Sequence, residues 1–313
     1  MNSVDYFDLH CDTIGGCYES HQSLFDGDLH ISLKRGSEFR TWFQCFAVFI
    51  PDDLRGQKAV AHYDALYGQL QKEIQRYSKH VMFCKTADDL ANAQREHKIG
   101  AILTVEGGAA LGGSLERLAF LAECGVKAMT LTWNSSCEIG DGADAKSPKG
   151  LTNFGKEVIA EMERQNIAID ISHASDALFY DVASLTAKPF LATHSNSRTL
   201  CGHRRNLTDE QFQVIRDRGG LVGINFVPEF LNESGIADLQ DVLKHVEHFL
   251  ALGGERCLAV GSDFDGIGTL PSGITGVESI ENLAEEMLRH NYSENLVHSI
   301  LFDNAYHFFL SLF

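Results

Sequence analysis

The sequence predicts a closed α/β barrel of the (β/α)8 or TIM type, formed by residues 1–313 as one domain. Three observations carry this prediction. About eight apolar, β-rich runs alternate with stretches of helical periodicity, as parallel strands joined by crossover helices require. The 313 residues accommodate eight such units, since these barrels take roughly 250 residues. An open dinucleotide-binding sheet would place a GxGxxG turn after its first strand, and neither Gly15-Gly16 nor Gly107-Gly108 fits that pattern.

The strands are expected at Val4–His10, Trp42–Ile50, Ala101–Val105, Ala128–Trp133, Ile167–Ile171, Phe190–Thr193, Leu221–Val227 and Leu258–Gly261. Between them, Leu115–Cys124 sets Leu115, Leu118, Ala119 and Ala122 on one helical face. Asn153–Gln165 reads the same way, as does Asp209–Arg218 behind a Thr208 N-cap. His62–Arg76 and Leu239–Leu252 are longer amphipathic helices. The five prolines fall at loop or strand edges, where a missing N–H is tolerated. The apolar ending Tyr306–Phe313 suits a helix docked on the barrel or on a partner subunit.

The formal net charge is -17, from 26 Lys+Arg against 43 Asp+Glu. This argues against nucleic acid, which needs a basic stripe, and against anionic membrane surfaces. The eight cysteines show no CxxC spacing, and a chain this long is no disulfide scaffold. Met1–Asp12 lacks a signal-peptide pattern, and no apolar run reaches the roughly 20 residues of a membrane span. A cytoplasmic protein with reduced thiols is expected.

Metal-capable side chains gather at the ends of the strands. Strand-end segments carry His10-Cys11-Asp12, Glu106-Gly107-Gly108, Asp170-Ile171-Ser172-His173, Thr193-His194-Ser195 and Asp263-Phe264-Asp265-Gly266. In a barrel these ends converge on one mouth, where such folds carry their chemistry. The two-residue period of a strand puts His10 and Asp12 on one face. Three imidazoles with two or three carboxylates suit a borderline-soft divalent ion such as zinc. Glu106 has two oxygens to bridge a pair of ions, with His10 and Asp12 on one and His173 and His194 on the other.

As a set and in order, these motifs, with Arg204-Arg205-Asn206 and the segment Gly150–Glu157, resemble the membrane (renal) dipeptidase family of zinc peptidases. The resemblance covers essentially the whole chain. It implies a metal-dependent hydrolase barrel with two Zn2+ ions per subunit, ligated by His10, Asp12, Glu106, His173 and His194. It also implies hydrolysis of dipeptides, including some L-Xaa–D-Xaa, by a metal-bridging hydroxide, and it suggests a homodimer.

Asp263 is the expected proton carrier between water and leaving amine. Asp265 is the better candidate for a turn or cap. Arg205 is the expected clamp for the substrate carboxylate. One departure stands out: where many animal members carry a histidine after the fourth strand, this chain reads Leu131-Thr132-Trp133-Asn134. Trp133 and Asn134 are therefore expected at the substrate, as pocket wall or hydrogen-bond donors. The polar loop Ser135–Lys149 is a candidate rim or lid. Alternatives are a related barrel hydrolase acting on a lactone, cyclic amide or N-acyl amino acid, and a barrel that binds metal or peptide without turnover.

Overall fold

The structure, a computed structural model, describes residues 4–313. Nine strands form: β1 (Asp5–Cys11), β2 (Thr41–Phe49), β3 (Val81–Phe83), β4 (Ile99–Glu106), β5 (Val126–Thr130), β6 (Ala168–Asp170), β7 (Leu191–Ala192), β8 (Leu221–Ile224) and β9 (Leu258–Val260). All pairings between them are parallel. The order runs β2-β1-β9-β8-β7-β6-β5-β4, and pairing of β2 with β4 closes the ring at eight strands. The expected barrel is thus observed, with helices such as Gln57–Arg76, Leu115–Cys124, Asn153–Arg164 and Asp209–Asp217 between successive strands.

β3 is additional to the eight expected strands and lies outside the ring. It pairs with Ile99–Ala101 at the start of β4, before β5 takes up the pairing at Leu103. Three residues give no readable alternation. The runs expected through Trp133 and Val227 end instead at Thr130 and Ile224; at the second of these, the backbone N–H and C=O of Asn225 pair with the Asn196 side-chain amide rather than with a neighbouring strand.

Helix starts follow local chemistry. Thr208 caps Asp209–Asp217 in a capping box with Gln211, and Thr152 caps Asn153–Arg164. The capped helices Ala87–Arg95 and Asp176–Leu185 were not anticipated, although Thr86 and Ser175 supply their N-caps.

Alternation along the strands divides the core. Phe7, Leu9, Phe43, Cys45, Ile102, Ala128, Ala168, Leu191, Leu221 and Ala259 fill the barrel interior. Their neighbours Tyr6, Phe46, Leu103, Val105, Met129, Ile169, Val222 and Val260 face the helical layer. The C-terminal segment docks on the barrel itself: Phe302, Ala305, Phe308 and Phe309 close its lower end, with the Phe309 ring 5.2 Å from Phe7. All eight cysteines are free thiols. Among the described residues, no helix is long and apolar enough to cross a membrane.

Candidate metal centre

The interior alternation that buries Ile102 carries Thr104 and then Glu106 up the same face of β4, so Glu106 emerges at the mouth. β1 reaches the mouth differently. Its register against β2 slips between Asp8 and Cys11, where three steps on β1 match two on β2. Leu9 faces the interior and Cys11 the outer layer, and this switch turns His10 inward beside Asp12. The expected pairing of these two side chains is observed, but through a bulge rather than simple alternation.

His173 and Asp263 lie just beyond their strands in left-handed backbone, with φ of 67° and 62°. Such conformations cost non-glycine residues roughly 1–2 kcal/mol each, and here they swing both side chains over the barrel axis. Gly266 is required by close approach: a Cβ there would lie 2.3 Å from Asp12 Oδ2 and 2.6 Å from Asp263 Oδ1.

The five expected ligands come together. Glu106 Oε1 lies 2.8 Å from His173 Nε2 and 3.5 Å from His194 Nε2, while its Oε2 lies 3.7 Å from His10 Nε2. His10 Nε2 is 3.3 Å from Asp12 Oδ2 and 3.9 Å from Asp263 Oδ1. All but Asp12 and Asp263 are almost fully buried.

Hydrogen bonding fixes which imidazole nitrogens carry protons. Thr193 donates its hydroxyl to Asp170 Oδ2 at 2.6 Å, so its oxygen accepts from His194 Nδ1 at 2.8 Å. Asn134 Oδ1 accepts from His173 Nδ1 at 2.7 Å. Both Nε2 atoms are then lone-pair donors to a metal, yet they face each other at 3.0 Å with Glu106 Oε1 beside them. Three acceptors this close repel one another unless a cation lies among them. This donor set fits a borderline divalent metal, with outer partners that set ligand tautomers as in known sites.

The titration behaviour agrees. Burial, reinforced by positive charge at Arg205 and His10, holds His173 and His194 well below the usual imidazole range. Burial pushes Glu106 well up, with Asp12 adding to the effect, and raises Asp263. Burial alone would lower His10, but Glu106, Asp12 and Asp263 outweigh it and hold His10 at about 10. Three crowded carboxylates thus draw positive charge to this point.

Beneath the ligands lie two buried carboxylates with no role foreseen from the sequence. Asp170 accepts from Thr130 Oγ1, Ser172 N, Thr193 N and Thr193 Oγ1. Asp8 accepts from Ser262 N, Ser262 Oγ and His10 N, tying β1 to the segment after β9. Asn225 was also missed; its Nδ2 donates to Asp263 Oδ2 at 3.0 Å. Asp265 stands apart from the cluster and accepts from Thr13 Oγ1, His30 N and Ile31 N, a structural pin.

A cavity of about 600 Å3 opens over the cluster. Arg205 lines it, only 6% exposed, and its Nε and Nη2 have no acceptor among the described residues. Burial brings Arg205 down to about 10 against the pull of Asp263 and Glu106. Trp133 also lines the cavity, its ring 4.9 Å from Phe49 and 5.9 Å from His173. Asn134 borders the cavity with its Oδ1 committed to His173. The loop 135–149 forms part of the rim, where Asp144 pairs with Arg204 at 3.2 Å.

Comparison with known proteins gives a consistent result. The model of the membrane dipeptidase family (peptidase family M19) matches residues 1–310. A Klebsiella pneumoniae protein described only as an uncharacterized protein in the pqqA 5' region is 31% identical over 254 residues, 77% of this chain and 93% of that one. A metallo peptidase from Rhodobacter sphaeroides, solved with a phosphinate mimic of the dipeptide L-Ala-D-Ala, superposes with a TM-score of 0.92 at 27% identity, covering 99% of this chain and 100% of that one. The dipeptidase AC, a family M19 metallo peptidase, gives a TM-score of 0.90 at 29% identity over 98% of both chains.

Proposed function

The chain belongs to the membrane dipeptidase family, and on that premise we propose that it is a zinc dipeptidase working with two ions. His10 and Asp12 would hold one ion and His173 and His194 the other, with the Glu106 carboxylate shared between them. The observation that carries this reading is the convergence of His173 Nε2, His194 Nε2 and Glu106 Oε1 as mutually facing acceptors. When bound, two such ions lower the pKa of a water and polarise a carbonyl.

The chain's own residues do the rest. Arg205 offers two buried nitrogens without protein acceptors, and a planar fork of this kind suits the carboxylate of a dipeptide. Phe230 backs the guanidinium at 5.6 Å. This favours a carboxylate-bearing substrate over a neutral lactone or cyclic amide. Asp263 is held at Oδ2 by Asn225, which leaves Oδ1 toward the cavity. Water oxygen joins the carbonyl carbon as the peptide C–N bond breaks. Asp263 Oδ1 takes the water proton and returns it to the departing amine nitrogen. We take residues 1–313 as one catalytic unit, and the eight free thiols suit a reducing cytoplasm.

The test is hydrolysis of L-Ala-L-Ala and L-Ala-D-Ala by chelator-treated protein, before and after zinc is restored. Activity absent without metal and recovered with zinc supports the reading. Activity indifferent to chelation contradicts it, as does a zinc-loaded protein inert on every dipeptide.

A further inference from the structure

We propose that Phe49 and Trp133 form the subsite for the side chain of the substrate's amino-terminal residue, and that this subsite selects a large apolar group. The inference rests on the dipeptidase reading above, with the substrate carboxylate at Arg205.

The barrel's geometry supplies the direction. In the ring β2-β1-β9-β8-β7-β6-β5-β4, closed by β2 against β4, β7 lies four strands from β2 by either route. Arg205 belongs to the segment after β7, and Phe49 is the last residue of β2. The two stand on opposite sides of the mouth, with the ligand cluster between them. A dipeptide whose carboxylate meets Arg205 and whose peptide carbonyl lies over the cluster directs its amino-terminal residue toward β2.

What waits there is apolar. The alternation that turns Phe43 and Cys45 into the barrel brings Ala47 and Phe49 to the same face. Phe49 is in register with Glu106 on the neighbouring strand, and both residues line the cavity. Trp133 meets that ring edge-on, at 4.9 Å and 65°. Pro51 and Leu66 extend the same wall of the cavity. Both aromatic rings are only partly buried, so part of their apolar surface faces the cavity. Asp52 Oδ2 accepts from Ser135 N at 2.9 Å, tying the turn after Phe49 to the turn after Trp133. This tie fixes the two rings as one surface. Among the described residues lining the cavity, Arg205 is the only Lys or Arg, and it stands across the mouth, so this wall offers an acidic side chain no ammonium or guanidinium partner.

The experiment compares kcat/KM across two series, Xaa-Ala and Ala-Xaa, with the zinc-loaded enzyme. Phe-Ala and Leu-Ala should exceed Gly-Ala and Asp-Ala by about tenfold or more, the scale expected for burying a large apolar side chain. Phe49→Ala should collapse the Phe-Ala to Gly-Ala ratio several-fold, and Phe49→Leu should restore much of it. The ratios within the Ala-Xaa series should not follow these substitutions. A wild-type enzyme cleaving Gly-Ala, Asp-Ala and Phe-Ala equally well overturns the inference while leaving the dipeptidase reading intact. So does a Phe49 effect confined to the Ala-Xaa series. Failure to cleave any member of either series overturns the dipeptidase reading, and this inference falls with it.

Discussion

Replacing Thr193 with valine keeps the shape of the side chain and removes one oxygen. That oxygen donates to Asp170 at 2.6 Å and accepts from His194 Nδ1 at 2.8 Å. His194 is fully buried, so its Nδ1–H would be left without an acceptor, at a cost of about 1–3 kcal/mol. The ring escapes this cost by moving its proton to Nε2, which removes the lone pair that faces Glu106 and His173. Either outcome weakens the centre by a similar amount. Loss of such an outer partner typically lowers metal affinity about 10–100-fold, or roughly 1.4–2.7 kcal/mol. Zinc affinity is measured by competition with a chromophoric chelator. Thr130→Val is the control, because it removes a second donor to Asp170 at 2.5 Å without touching His194. Thr193→Val should fall in the stated range and Thr130→Val should lose much less. Equal losses in the two variants, or zinc affinity unchanged in Thr193→Val, would refute the tautomer argument.

Further outcomes follow from other parts of the molecule. Asp263→Asn should keep its zinc and lose about 10²–10⁴ in kcat; loss of zinc from this variant would instead make Asp263 a ligand. Arg205→Ala should raise KM for dipeptides more than it lowers kcat, with kcat/KM down roughly 10–150-fold for a lost charged hydrogen bond. Phe309→Ala should cost about 3–5 kcal/mol in chemical denaturation, since its ring closes the lower end of the barrel against Phe7. His298 makes a pH-dependent contribution. Burial alone would lower its pKa, but Asp5 and Asp303, at 2.8 and 2.7 Å from its two ring nitrogens, outweigh burial and raise it above 6.5. The charged form is favoured by folding, so this stability is fully present below pH 6.5 and fades as pH rises through the elevated folded value. The stability difference between wild type and His298→Ala, measured by urea denaturation, should therefore shrink with rising pH. A difference that grows would contradict the assignment.

The barrel was legible because its strands lie in apolar runs separated by amphipathic helices, and the proposed ligands because they follow those runs directly. Once Ile102 faces inward, simple alternation carries Glu106 to the mouth. His10 is a different case: its orientation depends on a register slip against β2, a tertiary feature that no local pattern encodes. The left-handed backbone at His173 and Asp263 is equally silent in sequence, since neither residue is glycine. Asp8 and Asp170 look like ordinary strand aspartates until closure of the ring brings Ser262 and Thr193 against them. Asn225 reads as part of a strand, and only the approach of Asp263 gives its amide a task. Phe49 counts as one more apolar residue in a run, and its place beside Glu106 comes from the pairing of β2 with β4. What the sequence withheld was mostly the hydrogen bonding between distant strands.

The most direct test of the account is metal content. Protein loaded with zinc and freed of excess should carry two ions per chain by plasma emission spectrometry, and Glu106→Gln should lose zinc and activity together. Two tightly held ions in Glu106→Gln, or no zinc in the wild type, would contradict a centre bridged by Glu106.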